Sequence, residues 1–433
     1  MLEKKVNNMA AEKKRIIIAG AGFGGTRLAW KLRKSEYEII LIDKHNYSQF
    51  QPLMYQVATA RLEPSSISFP LRKIFQHTHN IQIRVAEVQK VDPAEKILYT
   101  SVGPLHYDYL VIAFGCTTNY FGNQKIQQFA IPMKSVPEAM LLRNRILQTF
   151  EDALVATPAE QDALLNFVIV GGGPTGVELS GALAEMKKFV LPKDYPGMDF
   201  SNLNIWLLEG SPHTLNVMSD ASKKKSQEYL EELGVNVLLN TVVQDYDGTT
   251  VQLKGGKTIL SKNLIWAAGV TGNILPGIPT EYILKGNRLK VNRWNEVEGL
   301  PDIYALGDIA YMPTPKYPNG HPQLANVALT QAMQLAKNFD RKLNNLPLTD
   351  YEYFDKGTLA TVGKHKAVAD LPGGIQFQGR FAWFIWMFIH LMLILYIKNK
   401  LNILINWIMS YFTNDSTLRL MLITDNNKTK AAP

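Results

Sequence analysis

Cysteine is almost absent from this chain, and its scarcity excludes several kinds of protein. Cys116 is the one cysteine among 433 residues, so no disulfide can form within the chain. A secreted scaffold stapled by disulfides is therefore excluded, and we expect a reducing compartment. Catalysis that passes electrons through a pair of cysteines in one chain is excluded as well. We interpret Cys116 as a structural residue.

A signal sequence, a nucleic-acid-binding motif and a metal-ligand cluster are also missing from the sequence. The opening MLEKKVNNMAAEKKR has no apolar core, and we expect residues 1–13 to form a disordered lead. The formal charge is +8, but the basic residues are scattered, so we expect no nucleic-acid partner. The eight histidines are scattered too, and we expect no metal site.

The chain contains two copies of one pattern, in which a buried strand leads through a glycine loop into a helix. The first copy is RIIIAG, then Gly20, Gly22 and Gly25, a helix predicted over residues 26–34, and the strand EIILID. The second is NFVIV, the loop GGGPTG, a helix predicted over residues 177–190, and the strand NIWLLE. Parallel strands joined by helices predict an α/β fold with two Rossmann-like domains.

The spacing of these glycines is typical of dinucleotide binding. The first glycine makes a tight turn, the second lets the backbone approach a pyrophosphate, and the third allows helix and sheet to pack closely. The helix N-terminus then faces the phosphates with the positive end of its dipole. One such loop can be only a turn that needs glycine. Two copies in the same context predict two dinucleotides, one held tightly and one exchanged.

Acidic residues follow both loops at the ends of strands. Asp43 and Glu209 end the next strand of each copy, where a carboxylate can accept a ribose hydroxyl. No arginine follows Glu209 to meet a 2′-phosphate, so NADH is favoured over NADPH; a solvated strand-end acid is the alternative. Asp308, which follows Gly307 at the end of another strand, can bind the sugar-like chain of a flavin.

The chain resembles type II NADH dehydrogenase, the family of single-chain, non-pumping NADH:quinone oxidoreductases among the two-dinucleotide flavoproteins. The segments that carry the resemblance are GAGFGG, FQPLMYQVATA, GGGPTGVELSGALAE, AAGV, YALGDIA and DKGTLATVGKHKAV. It runs from about residue 15 to residue 412. The glycine loops are shared by the wider superfamily, whereas FQPLMYQVATA, DKGTLATVG and the apolar tail are more specific. Disulfide reductases and sulfide:quinone reductases of the superfamily need more cysteines than this chain has.

The resemblance implies two cofactors and assigns residues to each. Tightly bound FAD would be held by Gly20, Gly22, Phe23, Gly24, Gly25, Asp43, Gly115, Gly307 and Asp308. Exchanging NADH would be held by Gly171, Gly173, Gly176, Glu178, Glu209 and Gly269. Glu178 matches the family's acid beside the nicotinamide and the flavin, and is the candidate catalytic residue. The alternative is an acid in the first helical turn, stabilised by the helix dipole.

The resemblance also implies a division into domains. We expect a FAD-binding domain in residues 14–125 and 277–345, and an NADH-binding domain in residues 126–276. Residues 346–433 would form a C-terminal region, with a hairpin folded at Gly363 followed by hydrophobic, membrane-anchoring helices.

One departure from the family pattern affects the quinone. The family usually carries Ala-Gln-x-Ala-x-Gln-Gln at the helix under the flavin, and here the stretch reads ANVALTQ from residue 325 to residue 331. Asn326 and Thr330 stand where glutamines are usual, and Gln331 is kept. Asn326, Gln331 and, near the entrance, Arg380 are the candidate quinone residues. The alternative is an amphipathic helix whose polar face is merely solvated.

The C-terminal tail is unusually apolar for a chain of this composition. Residues 381–397 carry no charge, Lys398 and Lys400 follow, and a second apolar helix is predicted over residues 401–412. Seventeen residues are at the short limit of a membrane span. A core helix, a shallow span and a pair of helices in the membrane interface are all open. Trp386, Trp407 and other aromatic residues, with a basic corner, favour the interface.

These observations predict an NADH:quinone oxidoreductase. It would transfer hydride from NADH to FAD and then two electrons to a membrane quinone, menaquinone or ubiquinone, without pumping protons. It would be a peripheral protein on the cytoplasmic face of the inner cell membrane, bound to the bilayer through its C-terminal helices, and a homodimer stays open. The alternatives are a soluble flavin-dependent NADH reductase of a small electron-transfer protein and a non-enzymatic NADH-binding sensor.

Overall fold

The computed structural model describes residues 13–413 and 418–422, so residues 1–12 of the predicted lead, and part of the end of the C-terminal region, lie outside the described residues. The strands, in chain order, are β1 (Arg15–Ala19), β2 (Glu38–Asp43), β3 (Tyr47–Gln49), β4 (Ser68–Pro70), β5 (Ile81–Val85), β6 (Val88–Asp92), β7 (Ile97–Thr100), β8 (Gly103–His106), β9 (Tyr109–Ile112), β10 (Cys116–Thr118), β11 (Ile131–Pro132), β12 (Asn166–Val170), β13 (Asn204–Leu208), β14 (Asn236–Leu238), β15 (Val243–Tyr246), β16 (Thr250–Leu253), β17 (Thr258–Leu260), β18 (Asn263–Trp266), β19 (Val270–Gly272), β20 (Ile283–Leu284), β21 (Arg288–Lys290), β22 (Ile303–Ala305), β23 (Ala310–Tyr311), β24 (Thr358–Thr361), β25 (Ala367–Leu371) and β26 (Ile375–Gln378).

The α-helices are α1 (Phe23–Leu32), α2 (Met54–Ala58), α3 (Leu71–Ile74), α4 (Gln124–Phe129), α5 (Val136–Val155), α6 (Pro158–Leu164), α7 (Pro174–Phe189), α8 (Leu191–Asp194), α9 (Asp220–Glu232), α10 (Ala325–Leu343), α11 (Gly379–Leu393) and α12 (Ile397–Thr413). Short 3₁₀ turns lie at Gln51–Leu53, Pro64–Ser66, Phe200–Asn202, Thr280–Tyr282, Gly307–Ile309 and Pro372–Gly374.

The first of two compact units contains residues 13–48, 69–117 and 270–354. Its centre is a five-stranded parallel sheet in the order β22-β9-β1-β2-β5. The strand β1 is in the middle, and its residues 16–18 are fully buried because both faces of the sheet are covered. The helices α1 and α10 pack against each other.

The second unit contains residues 49–68, 118–269 and the described residues from 355 onward. It is built on another five-stranded parallel sheet, β11-β18-β12-β13-β14, with the antiparallel sheet β15-β16-β17 beside it. The predicted α/β class with two Rossmann-like sheets is confirmed. The predicted boundaries of the FAD- and NADH-binding domains stay a prediction.

The C-terminal part of the second unit is a small antiparallel sheet with two helices after it. The predicted hairpin is the pair β24 and β25, and a third strand, β26, extends it. Gly363 lies in the turn with a φ of +71°, a left-handed conformation that favours glycine. The helix α11 packs on β25, and α12 follows after a three-residue break.

Helix starts differ most from expectation. The helix α1 begins at Phe23 instead of residue 26, and α7 begins at Pro174 instead of residue 177. Proline is suited to a first helical turn because its fixed φ and missing N–H cost nothing there. The helix α12 begins at Ile397, so Lys398 and Lys400 lie inside its first turn. The predicted basic corner between the tail helices is therefore wrong, because the break at residues 394–396 is uncharged.

Candidate functional site

The first glycine loop joins β1 to α1, and at its first and last glycines the surrounding backbone leaves no room for a side chain. Gly20 has a φ of +110°, and a Cβ there would lie 2.4 Å from the carbonyl oxygen of Ala113. A Cβ on Gly25 would lie 1.8 Å from the carbonyl oxygen of Gly20. Nothing lies within 4 Å of the Cβ position of Gly22. The loop is therefore open at the position where such loops let the backbone approach a pyrophosphate.

The second glycine loop, between β12 and α7, repeats this geometry. Gly171 has a φ of +111°, and a Cβ there would lie 2.7 Å from the carbonyl oxygen of Ala267. A Cβ on Gly176 would lie 1.9 Å from the carbonyl oxygen of Gly171, while the Cβ position of Gly173 is open. Two cradles of the same shape fit two dinucleotides, which is what FAD and NADH require.

A carboxylate is bonded to each loop. Asp43, at the end of β2, accepts the backbone N–H of Ala21 over 2.7 Å. Glu209, just after β13, accepts the N–H of Gly172 over 2.5 Å and that of Ser211 over 2.7 Å. An ionised carboxylate has about four acceptor sites, so each acid can still accept ribose hydroxyls. The predicted placement of both acids beside their loops agrees with this geometry.

The other predicted cofactor residues lie at the carboxyl ends of the parallel strands or at the start of a helix. Phe23 and Gly24 open α1. Gly115 follows β9 with a φ of +66°, and Gly269 follows β18 with a φ of +74°. Ligands of such sheets bind at this edge, because the strands end there and the loops leave a crevice.

The Gly307-Asp308 turn is fixed by two neighbours in its unit. The backbone N–H of Gly307 donates to Oε1 of Gln331 over 2.7 Å. The Asp308 carboxylate accepts the thiol of Cys116 over 2.9 Å. Gln331, a candidate quinone residue, is thus fully buried, and its side-chain oxygen is bonded to this turn. The structure places the lone cysteine against the predicted flavin aspartate, which sequence reasoning did not anticipate.

The start of α10 carries the residues that depart from the family pattern. The Thr330 hydroxyl lies 2.6 Å from the carbonyl oxygen of Asn326 and 2.7 Å from the Tyr351 hydroxyl. This part of the helix is therefore half-buried and bonded within its unit. In the other unit, Arg380 is exposed in the first turn of α11. Contact of Asn326, Gln331 or Arg380 with a quinone stays a prediction.

Glu178 lies in the second turn of α7, and its side chain is only 7% exposed. The alternative explanation, an acid stabilised in the first helical turn, is wrong, because the helix begins earlier than the sequence suggested. Burial raises the pKa of Glu178 to about 8, while the Thr361 N–H and the Trp386 indole lower it by smaller amounts. The carboxyl is consequently protonated at neutral pH. A buried acid that can exchange a proton near pH 7 is typical of a functional site.

A clamp between α7 and the β24–β25 turn puts Thr361 beside Glu178. A Cβ on Gly181 would lie 2.6 Å from the backbone nitrogen of Gly363, so the turn crosses the helix at backbone distance. One helical turn further on, the buried carboxylate of Glu185 accepts the N–H of Lys364 and pairs with Arg61. These contacts hold the end of β24 against the face of α7 that carries Glu178.

Several residues of the Glu178 pocket were not predicted as site residues. They are buried polar or aromatic groups from α2, β24 and the tail helices: Tyr55, Gln56, Thr361, Trp386 and Trp407. The signal was partly present, because the first three lie in FQPLMYQVATA and DKGTLATVG, the segments most specific to the family. The two tryptophans were instead expected in the membrane headgroup region. That expectation is wrong, since their side chains are 1% and 7% exposed.

His390 packs inside the tail. Its ring stacks on Trp386 with centroids 4.2 Å apart, and Phe50 meets its edge at 6.1 Å. Burial lowers the pKa of His390 to about 4, so the ring is neutral at pH 7. Its Nδ1 lies 2.8 Å from the carbonyl oxygen of Trp386 and therefore carries the ring proton. These contacts pack the His390 ring between α11 and Phe50.

The outer face of α11 and α12 is apolar. Its exposed side chains include Phe381, Phe384, Phe388, Met392, Ile397, Leu401, Ile405, Met409 and Phe412. Within residues 13–413 and 418–422, none of the helices combines the length and the apolar character needed to cross a membrane. The inner faces bury Trp386, Ile403 and Trp407 against the rest of the unit.

Comparison with protein-family models gives two matches that together cover most of the chain. Residues 14–332 match the family described as pyridine nucleotide-disulphide oxidoreductase. Residues 356–414 match the NDH2 C-terminal domain.

Curated relatives match over nearly the full length. The type II NADH:quinone oxidoreductase NdhA of Mycobacterium tuberculosis is 35% identical over 414 residues, covering 92% of this chain and 87% of the relative. The Ndh enzyme of the same organism, with the same description, is 33% identical over 421 residues, covering 92% and 88%. The mitochondrial external NADH-ubiquinone oxidoreductase 2 of Saccharomyces cerevisiae is 29% identical over 459 residues, covering 93% and 81%.

Solved structures share the fold. NDH2 from Plasmodium falciparum in complex with NADH superimposes with a TM-score of 0.87 at 23% identity, covering 95% of this chain and all of that one. The sulfide:quinone oxidoreductase of Aquifex aeolicus superimposes with a TM-score of 0.70 at 20% identity, covering 93% and 96%.

Proposed function

This chain belongs to the type II NADH:quinone oxidoreductase family, and on that premise we propose which residues carry the reaction and where the enzyme works. It is a flavin-dependent enzyme that oxidises NADH and reduces a quinone without pumping protons. When bound, FAD supplies the ring through which two electrons pass from NADH to the quinone. The chain itself must position the reactants, exclude water and supply a proton.

For FAD we propose the first loop and its neighbours. Gly20, Gly22 and Gly25 would admit the pyrophosphate to the N-terminus of α1, and Asp43 would accept ribose hydroxyls. Asp308 would bind the sugar-like chain of the flavin. The open side of the loop at Gly22 supports this assignment, because a side chain there would occupy the space of the phosphates. Phe23, Gly24, Gly115 and Gly307 complete the proposed set.

For NADH we propose the second loop, with Gly171, Gly173 and Gly176 at the pyrophosphate and Gly269 at the strand end opposite. Glu209 would accept the adenosine ribose hydroxyls. Its carboxylate already lies against the loop, bonded to the N–H of Gly172. A 2′-phosphate would meet that negative charge, so we expect NADPH to be a poor substrate.

We propose Glu178 as the residue that handles the proton of quinone reduction. Reduction of a quinone to a quinol takes two electrons and two protons, and a hydride from NADH brings both electrons and one proton. The second proton comes from solvent through the protein. The observation that carries this proposal is the burial of Glu178, which keeps its carboxyl protonated at neutral pH and able to release the proton near pH 8.

Stopped-flow kinetics of Glu178→Gln test this role, because the two half-reactions are measured separately. Flavin bleaching on mixing with NADH reports hydride transfer, and its recovery on mixing with a short-chain quinone reports quinone reduction. We expect the recovery to slow by about 100-fold, a typical contribution of a general acid, and bleaching to change less. The exposed acid Glu231 provides the control, Glu231→Gln. Recovery at the wild-type rate in Glu178→Gln would rule out the role.

The acceptor is a quinone rather than a small iron–sulfur protein, as the names of the curated relatives agree on quinone or ubiquinone. We therefore infer that the enzyme works at a membrane surface, where its acceptor is dissolved, bound through the outer faces of α11 and α12. The exposed apolar residues of these helices support interfacial binding. The lone cysteine and the use of NADH from the aqueous interior of the cell support the cytoplasmic face.

Vesicle binding tests the membrane proposal. The double variant Phe388→Asp, Phe412→Asp puts two charges on side chains that are 64% and 77% exposed. We expect the fraction of protein that co-sediments with phospholipid vesicles to fall at least about tenfold, because a charged aspartate is unfavourable in the apolar layer of the membrane. Val155→Asp, at an 88% exposed site on α5, is the matched control. Undiminished binding of the double variant would place the contact elsewhere. Whether the protein forms a homodimer is a separate question, and light scattering of the protein in detergent would distinguish a monomer from a homodimer.

A further inference from the structure

Phe121 has a side chain that is 69% exposed, and it lies in a turn of a type that seldom contains an aromatic residue. Phe121 and Gly122 both have positive φ, at +51° and +80°. The N–H of Asn123 closes the turn by donating to the carbonyl oxygen of Tyr120 over 3.0 Å. Two left-handed residues closed by this bond make a type I′ turn, whose first central residue is usually asparagine, aspartate or glycine. Phenylalanine is strained there, because its Cβ crowds the backbone in this conformation.

The strain at this turn points to a use for the exposed ring. An exposed apolar side chain needs no explanation by itself. A bulky residue in a left-handed conformation is different, because it costs stability that asparagine or glycine would not cost. Residues held in such conformations cluster at functional sites, where the strained backbone places a side chain that the site needs. What lies beside the ring of Phe121 therefore indicates its use.

The turn is fixed to the carboxyl end of β18 by two hydrogen bonds. The N–H of Asn119 donates to the carbonyl oxygen of Gly269 over 3.3 Å, and the indole of Trp266 donates to the carbonyl oxygen of Asn119 over 2.8 Å. The Asn119 side chain accepts the N–H of Phe121 over 2.8 Å. The ring lies against the strand end, since a Cβ on Gly269 would be 2.9 Å from Cζ of Phe121. The position of the ring is consequently set by the backbone that follows β18.

The same strand end is close to the glycine loop proposed for NADH. A Cβ on Gly171 would lie 2.7 Å from the carbonyl oxygen of Ala267, two residues before Gly269. The backbone of residues 267–269 thus approaches the loop at its first residue and the ring of Phe121 at its last. Phe121 therefore lies at the edge of the sheet where the dinucleotide is proposed to bind.

The strand order decides which half of NADH the ring would meet. In the sheet β11-β18-β12-β13-β14, the chain runs from β12 to β13 on one side and returns to β18 on the other, so the switch point lies between β12 and β18. Glu209 follows β13 and is the proposed partner of the adenosine ribose. The other half of the dinucleotide would extend across β12 toward β18, where Gly269 and Phe121 lie.

We propose that the ring of Phe121 packs against the nicotinamide ring of NADH and holds it at the carboxyl end of β18. The inference rests on the proposed NADH site in the second glycine loop. Nicotinamide is a flat ring, and an aromatic side chain that is already ordered offers it apolar contact at little cost in entropy. The strained turn presents the ring at the edge of the sheet, where asparagine would present only a short polar side chain.

Two ligands that differ only in nicotinamide test the proposal in the full-length, flavin-loaded, oxidised enzyme. NAD⁺ carries the nicotinamide, whereas ADP-ribose has the same adenosine, pyrophosphate and second ribose without it. Titration calorimetry gives the Kd of each. Phe121→Ala removes the ring, Phe121→Asn replaces it with a residue that the turn favours, and Phe121→Tyr keeps the ring. Phe129→Ala is the control, because Phe129 is 42% exposed in the same unit but packs on Tyr246.

We expect Phe121→Ala and Phe121→Asn to raise the Kd of NAD⁺ about tenfold, the contribution of one aromatic contact, and that of ADP-ribose less than about twofold. KM for NADH should rise by a similar factor. Phe121→Tyr and Phe129→Ala should keep both Kd values. Phe121→Asn should unfold at the wild-type temperature or higher, because asparagine suits a left-handed position. If the ring served only the fold, this variant would instead lose thermal stability and keep the Kd of NAD⁺.

Two results would overturn the inference: an unchanged Kd of NAD⁺ in Phe121→Asn, or equal weakening of NAD⁺ and ADP-ribose. If Phe121→Ala does not fold, Phe121→Asn decides alone. The proposed NADH site fails separately, if Gly176→Ala binds both ligands as tightly as the wild type. If Gly176→Ala weakens both ligands while the Phe121 variants weaken neither, only the role of Phe121 is lost.

Discussion

Replacing Glu178 with glutamine should change how the stability of the protein depends on pH. The substitution keeps the size of the side chain and removes a carboxyl that is buried in the folded protein and hydrated in the unfolded chain. The pKa of Glu178 is about 8 in the folded protein against 4.5 when unperturbed, and burial is the main cause. The folded protein therefore holds a proton that the unfolded chain has already lost across this interval.

The sign and size of the effect follow from these two values. A folded-state pKa above the unfolded value contributes stability that is fully present below pH 4.5 and is lost as pH rises toward 8. Each pH unit well inside the interval costs about 1.4 kcal/mol. Between pH 5 and pH 8 the free energy of unfolding of the wild type should fall by about 3 kcal/mol relative to Glu178→Gln.

The measurement is guanidinium unfolding of both flavin-loaded proteins at pH 5 and pH 8, followed by tryptophan fluorescence. Only the difference between wild type and variant is used, so that the titration of all other groups cancels. A difference that is the same at both pH values, within about 1 kcal/mol, would mean that Glu178 is not held protonated by burial. The assignment of the proton to this residue would then be refuted as well.

Three further predictions concern the loops and the clamp. Gly176→Ala should raise KM for NADH at least about tenfold, with flavin still bound, because the new Cβ would lie 1.9 Å from a carbonyl oxygen of the NADH loop; steady-state kinetics and flavin absorbance check this. Glu209→Ser should narrow the preference for NADH over NADPH by about tenfold in kcat/KM, since the repelling carboxylate is gone. Arg61→Met should lower the free energy of unfolding by about 2 kcal/mol, because Glu185 would stay buried with its charge unpaired. The control is Lys125→Met, which breaks a more exposed ion pair with Asp245 and should lower the free energy of unfolding by less than about 1 kcal/mol.

The cofactor loops were predictable because their signals are local. The strand β2 runs over the predicted residues 38–43, and β12 over the predicted residues 166–170, since buried β-branched runs bounded by glycine leave little choice. The first and last glycines of each loop stand where another part of the backbone passes so close that only glycine fits. The acids lie one strand after each loop for the same reason, because the βαβ unit sets their distance along the chain.

The tail shows where local reasoning failed. Tryptophan and tyrosine in an apolar helix fit a membrane interface and a protein interior equally well. Each environment offers apolar contacts for the ring and a hydrogen-bond partner for its one polar atom. Phe388 and Phe412 face outward, whereas Trp386 and Trp407 face the protein. Helical periodicity separates two faces but does not say which one is covered.

The sequence by itself determined the α/β class, the two dinucleotide loops, the acids that follow them and the membership of a quinone-reducing family, because these depend on residues close together in the chain. Only the tertiary structure decided what surrounds Glu178. The N–H of its partner Thr361 is 183 positions away, and the bond from Trp407 to Gln56 joins residues 351 positions apart. The burial of this carboxyl is a property of such distant contacts. The raised pKa of Glu178, and with it the proposed chemistry, therefore emerges only when segments far apart in the chain pack around this residue.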